Sequence, residues 1–154
     1  MEIETVDTVA QPILFVSRTS SMSPVDISRT MGAAFDALGA FIGRTGIAPV
    51  GPPVAIYRSF DGGTLAFDVG VPVAAADRVK AAGEVTAGET PALRAWKTVH
   101  KGPYARLRET YGALEAAMGR AGLPRPEIAW EVYLNDPDST PEDDLLTEVY
   151  MPVP

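Results

Sequence analysis

A chain of 154 residues with 46% hydrophobic and 21% charged side chains has the size of one globular domain and is too apolar for wholesale disorder. Its net charge of −7 is spread along the chain, with 4 basic and 7 acidic residues in 1–76 and 9 and 13 in 77–154, so neither half has the basic excess that direct nucleic-acid binding needs. The lack of cysteine, of any apolar run near the roughly 20 residues of a membrane span, and of a basic leader argues against disulfides, membrane insertion and secretion, and makes a cytoplasmic setting the expectation.

Read in chain order, Ile13 to Val16 is a short apolar run after Pro12 and predicts a buried strand. Ser23-Pro24-Val25-Asp26 predicts a helix start, with a serine cap, proline in the first turn and an acid three residues on. Ile27, Met31, Phe35, Leu38 and Ile42 continue it as one apolar stripe, which Gly43 and Gly46 close. Two strands, Val54 to Phe60 and Thr64 to Val71, flank a glycine-rich hairpin at Asp61-Gly62-Gly63. Residues 74–91 form an alanine- and glycine-rich connector, with one helical turn near Asp77 to Lys80.

The second half repeats the plan. Ala92 to Val99 predicts a strand, and Lys101-Gly102-Pro103 leads into a helix whose stripe is Leu107, Tyr111, Leu114 and Met118. Ile128 to Leu134 and Leu146 to Met151 predict two more strands. At an offset of 76, Gly43-Arg44-Thr45-Gly46 falls on Gly119-Arg120-Ala121-Gly122, Phe35 on Tyr111, and Tyr57 on Tyr133. Pseudo-repeats over about 1–73 and 91–154 are therefore expected within a single domain of residues 1–154. The fold class that follows is α+β: duplicated βαββ units sharing one antiparallel sheet, two helices on one face and a ligand cleft on the other.

Alternation along the strands then assigns faces. With Trp130, Val132 and Leu134 given to the helix-covered core, Glu131 and Tyr133 point to the opposite face, together with Glu148 and Tyr150. The matching first-half positions, Ala55 with Tyr57 and Asp68 with Gly70, make that face lopsided. It reads either as a cleft for a flat cation, with aromatic walls and a carboxylate, or as a solvated surface. His100, at a strand-to-helix junction, reads as a general base, a ligand contact or a packing residue. With one histidine and no cysteine, neither a metal nor another cofactor is expected, and the acidic run Glu142-Asp143-Asp144 lacks calcium-loop spacing.

Three segments carry a family resemblance: His100-Lys101-Gly102-Pro103-Tyr104, Glu131-Val132-Tyr133-Leu134-Asn135-Asp136-Pro137 and Thr147-Glu148-Val149-Tyr150-Met151-Pro152-Val153. In this order, after the opening Glu2-Ile3-Glu4 and the strand through Val16, they resemble the GyrI-like (gyrase-inhibitor-like) small-molecule-binding family. Arg18-Thr19-Ser20-Ser21 departs from its pattern by replacing a Gly-Pro-Tyr-type turn.

The resemblance implies relatives that serve as effector-binding domains of AraC-type and multidrug-binding MerR-type regulators or stand alone, with lipophilic cations held among aromatics against an acid. No helix-turn-helix segment is seen in the 154 residues, so a standalone protein that senses or sequesters hydrophobic, cationic organic compounds is the leading expectation. On the same resemblance Glu131 is the first acidic pocket residue and Glu148 the second, with Tyr57, Tyr133, Tyr150 and Trp96 as aromatic walls. Two alternatives stand beside it. One is a hydrolase that uses Glu131 to open cyclopropane rings of DNA-alkylating natural products, and the other is a protein-binding gyrase inhibitor.

Overall fold

A computed structural model describes residues 1–154, the side chain of Asp61 excepted. Eight strands form one antiparallel sheet: β1 (Glu4–Asp7), β2 (Pro12–Ser21), β3 (Val54–Ser59), β4 (Thr64–Pro72), β5 (Thr86–Glu89), β6 (Arg94–Lys101), β7 (Ala129–Tyr133) and β8 (Leu146–Pro152). Two helices, α1 (Pro24–Thr45) and α2 (Leu107–Arg120), follow β2 and β6. The order strand, helix, strand, strand thus occurs twice. The strands lie in the order β1-β6-β8-β7-β3-β4-β2-β5, so β3 and β7 meet at the centre.

The helices begin and end where local chemistry directs. Pro24 opens α1 behind Ser23, and Gly46 closes it in the left-handed conformation at φ 68°, its N–H bonded to the Ile42 carbonyl. Gly43, expected to help end the helix, remains inside it. Ala34, Leu38 and Phe41 face Leu14, Val16, Ala55, Phe67 and Val69 across one core. Leu114 and Met118 of α2 face Ala129, Val149 and Met151 across a second core on the same side of the sheet. Cross-strand partners share a face, and the row Val16–Val69–Ala55–Glu131–Val149–Thr98 runs under both helices. The backbone of α1 lies close along β2 and β4, whereas α2 approaches no strand comparably.

The other face is also a core. Ile13, Val54, Ile56, Ala95 and Trp130 are buried there, although no helix covers them. The cover is the chain itself. Thr8–Gln11 joins β1 to β2, six positions apart in the sheet, and residues 90–93 make the return from β5 to β6. Six interstrand spacings are roughly 29 Å in a flat sheet, but five Cα steps reach at most about 18 Å. The sheet must therefore curl toward its helix-free face, drawing its edges together beneath the two linkers.

The linkers are bonded to each other. Thr8 N–H donates to the Leu93 carbonyl, Thr90 N–H to the Gln11 carbonyl, and the Gln11 N–H to the Thr90 hydroxyl at 2.8 Å. They roof a cavity of about 250 Å³ lined by Val9, Val54, Lys97, Trp130, Val132 and Tyr150 among others.

This geometry corrects the faces assigned from alternation. Trp130 and Val132 lie on the helix-free side, and Glu131, Tyr133, Ala55 and Tyr57 lie beneath the helices. The assignments on β4 and β8 stand, with Asp68, Gly70, Glu148 and Tyr150 on the helix-free side. With both faces buried, apolarity no longer distinguishes them, and Trp130 satisfies either one.

Candidate functional site

At the centre of the helix-bearing face stands a carboxylate. Glu131, in the middle of β7, is 2% exposed. Burying a carboxylate is costly unless donors replace its water. Here three phenols do so. Tyr111 of α2 donates to Oε2 at 2.6 Å, Tyr133 to Oε1 at 2.6 Å, and Tyr57 to Oε1 at 3.3 Å. No lysine or arginine among the described residues pairs with it.

The arrangement follows from register. Tyr133 is two residues along β7 from Glu131 and so shares its face. Ala55 is directly opposite Glu131 on β3, which brings Tyr57 alongside, and the small Ala55 leaves room for the carboxylate. Tyr111 reaches Glu131 from α2 because it lies one turn before Leu114 on the helix face that packs into the second core.

Aromatic rings wall the cluster. Phe35 of α1 meets Tyr133 edge-on at 5.8 Å between centroids, and Tyr104, in the turn before α2, meets it edge-on at 5.5 Å. The Tyr133 hydroxyl also lies 3.6 Å from the Met31 sulfur. Met31, Phe35 and Tyr104 are half-buried, so this is the side on which the cluster nears solvent.

Burial pushes the Glu131 carboxyl above its ordinary value, against the opposing pull of the hydrogen bonds from Tyr111, Tyr133 and Tyr57 and of the charge of nearby His100. The three phenols are pushed well upward, first by burial and then by the neighbouring carboxylate. They therefore remain donors at any ordinary pH. The result is a buried carboxyl group whose hydrogen bonds are made by phenols, with no lysine or arginine paired to it and aromatic rings around the cluster.

Of the residues expected at a site, the structure brings Glu131, Tyr57 and Tyr133 together. It does not bring the others to them. Glu148 lies on the opposite face, 2.8 Å from Lys97, with the Tyr150 hydroxyl at 3.1 Å. Tyr150 stacks on Trp130 at 5.1 Å with the rings 4° from parallel. Trp96 is half-buried in the core under α2, beside Ile3 and opposite Met151.

Tyr111, Tyr104 and Phe35 also belong to the cluster, although the sequence pattern marks them only as helix stripe or motif. Tyr111 had a usable signal, since a phenol inside an apolar stripe needs a partner for its hydroxyl when buried.

The sequence matches the GyrI-like small molecule binding domain over residues 1–154. The chain belongs to this family. No curated protein matches it. Among solved structures, the GyrI-like domain described here is similar to the EcmrR C-terminal domain, with a TM-score of 0.84 at 16% identity over 99% of this chain and 97% of that one. In an EcmrR–DNA complex it covers 57% of the longer EcmrR chain, with a TM-score of 0.82 at 18% identity over 99% of this chain.

SAV2435 bound to tetraphenylphosphonium matches with a TM-score of 0.71 at 10% identity, covering 100% and 94% of the two chains. A hydrolase from Listeria innocua matches with a TM-score of 0.65 at 14% identity, covering 99% and 92%. These likenesses establish the shared α+β fold with its single antiparallel sheet and two main helices.

Proposed function

We propose that this GyrI-like domain binds hydrophobic organic cations between α1 and α2, with Glu131 as the charge partner. The observation that carries the reading is a buried carboxylate whose only described hydrogen-bond partners are three tyrosine hydroxyls, with no lysine or arginine paired to it. A ligand cation that parts the side chains over Glu131 gains Coulomb attraction in a desolvated site and cation–π contact with the rings. Ile27, Met31 and Phe35 on α1 and Tyr104 before α2 are half-buried against the core beside the cluster, and theirs is the proposed side of entry. Met31 is a flexible side chain suited to re-packing around ligands of different shape. The binding of tetraphenylphosphonium, a bulky apolar cation, by SAV2435 supports the same ligand class here.

The test is titration calorimetry with tetraphenylphosphonium on the wild type and Glu131→Gln. Loss of affinity by about tenfold or more in the variant is expected, since the amide keeps the shape but not the charge. Equal affinities would reject Glu131 as the charge partner.

A second reading keeps the site and adds chemistry. A carboxyl raised by burial, beside phenol donors, has the properties of a general acid or of a base for water. Incubation with a strained cyclopropane electrophile followed by mass spectrometry separates the two. Multiple turnovers to a ring-opened hydrate support catalysis, and recovery of intact compound supports binding alone.

A further inference from the structure

His100 is the chain's one histidine, and its hydrogen bonds go outside the carboxylate cluster. It lies near the end of β6, opposite Thr147, on the helix-bearing face, and is buried. Both ring nitrogens are engaged. Nε2 is 3.1 Å from the Pro103 carbonyl oxygen, and Nδ1 is 2.7 Å from the Thr110 hydroxyl. A carbonyl only accepts, so Nε2 carries the proton, and in the neutral ring Nδ1 accepts from the Thr110 O–H. The two residues held are the immediate predecessors of Tyr104 and Tyr111.

Apolar packing holds this segment through Leu107 in the second core and Tyr104 against both cores, but its polar ties to the sheet are few. Gly102 turns the chain at φ 124° and donates its N–H to the Leu145 carbonyl, which anchors the turn only up to that residue. Arg106, at the N-cap of α2, makes no capping bond to the helix backbone, and its guanidinium pairs with Glu109 on the exposed side of the first turn. The backbone of α2 stands off the sheet. The imidazole therefore ties both the turn and the first turn of α2 to the sheet.

We infer that His100 is a positioning residue for the aromatic cage: by holding Pro103 and Thr110 it delivers Tyr104 and Tyr111 to Glu131, and so sets the affinity for a ligand it never touches. This rests on the reading of Glu131 as the ligand's charge partner. It gives the His100-Lys101-Gly102-Pro103-Tyr104 segment a division of labour, with glycine making the turn, tyrosine forming the wall and histidine fixing where the wall stands.

The test is a double-mutant cycle read by titration of tetraphenylphosphonium, with amide hydrogen exchange beside it. His100→Ala is expected to weaken binding about tenfold, the worth of two lost hydrogen bonds. In a Tyr111→Ala background the same change is expected to cost less, about threefold, because only Tyr104 is left for it to place. His100→Gln, whose side-chain N–H can still meet the Pro103 carbonyl, recovers part of the loss.

Exchange in His100→Ala rises over amides 104–111 and not in the central strands. An equal loss of affinity in both backgrounds, or unchanged exchange over 104–111, overturns the inference. The exchange arm needs no ligand. It decides on His100 even if Glu131→Gln binds the cation like the wild type, a result that overturns only the underlying reading.

Discussion

Glu131 concentrates the protein's chemistry in one side chain, and its burial has a measurable consequence. Because burial raises its pKa on folding, the native chain holds more protons than the unfolded one between the two pKa values. Its contribution to stability is thus fully present below the unfolded carboxylate range, about pH 4.3, and is lost as pH rises through the folded value. Glu131→Gln removes this slope. Thermal unfolding of both proteins across pH is expected to show the balance moving toward the variant as pH rises through that window, then levelling. Parallel curves would mean that the carboxyl titrates alike in the folded and unfolded chain.

The phenols are not equivalent either. Tyr111→Phe breaks a 2.6 Å bond to the carboxylate and is expected to cost about 1.5–3 kcal/mol in denaturant unfolding. Tyr57→Phe breaks a 3.3 Å bond and is expected to cost well under that. The same ranking is expected in cation affinity.

Among the elements, the two linkers across the helix-free face do the work that a third helix would otherwise do. Thr90→Val keeps the shape but leaves the Gln11 N–H without its hydroxyl acceptor. A loss of about 1–3 kcal/mol is expected in urea unfolding, from a residue in neither helix nor strand. Cation binding under the helices is expected to persist, because the linkers lie on the other face.

Sequence patterns reveal elements unevenly. The limits of α1 were legible because Pro24 and Gly46 each act locally on the backbone, whereas Ser23, expected to cap it, makes no side-chain hydrogen bond to the helix. Strand β5, Thr-Ala-Gly-Glu, was hidden in the connector, for its pairing with β2 is a long-range event that four small or polar residues do not announce. The full length of β2, through Ser21, was hidden likewise by its polar second half. Faces on β3 and β7 were not legible, since deciding them required knowing that 8–11 and 90–93 would bury the second side.

At the scale of the whole molecule, the curled sheet has two interiors with different chemistry. The helix-free one is closed by the chain and balanced in charge, with Glu148 answered by Lys97. The helix-bearing one holds Glu131 with hydrogen bonds but no cation, beneath a helix that stands off from the sheet. The contrast between Glu131 and its first-half counterpart Ala55 makes this interior asymmetric, and the two residues are direct neighbours across β3 and β7.

The most direct measurement is a crystal structure of the protein with tetraphenylphosphonium. The cation is expected between α1 and α2, its rings against Tyr104, Tyr111 and Tyr133 and its charged centre within roughly 6 Å of an aromatic face beside the Glu131 carboxylate. A cation lodged instead beneath the linkers, against Trp130 and Tyr150, would contradict the assignment of the site.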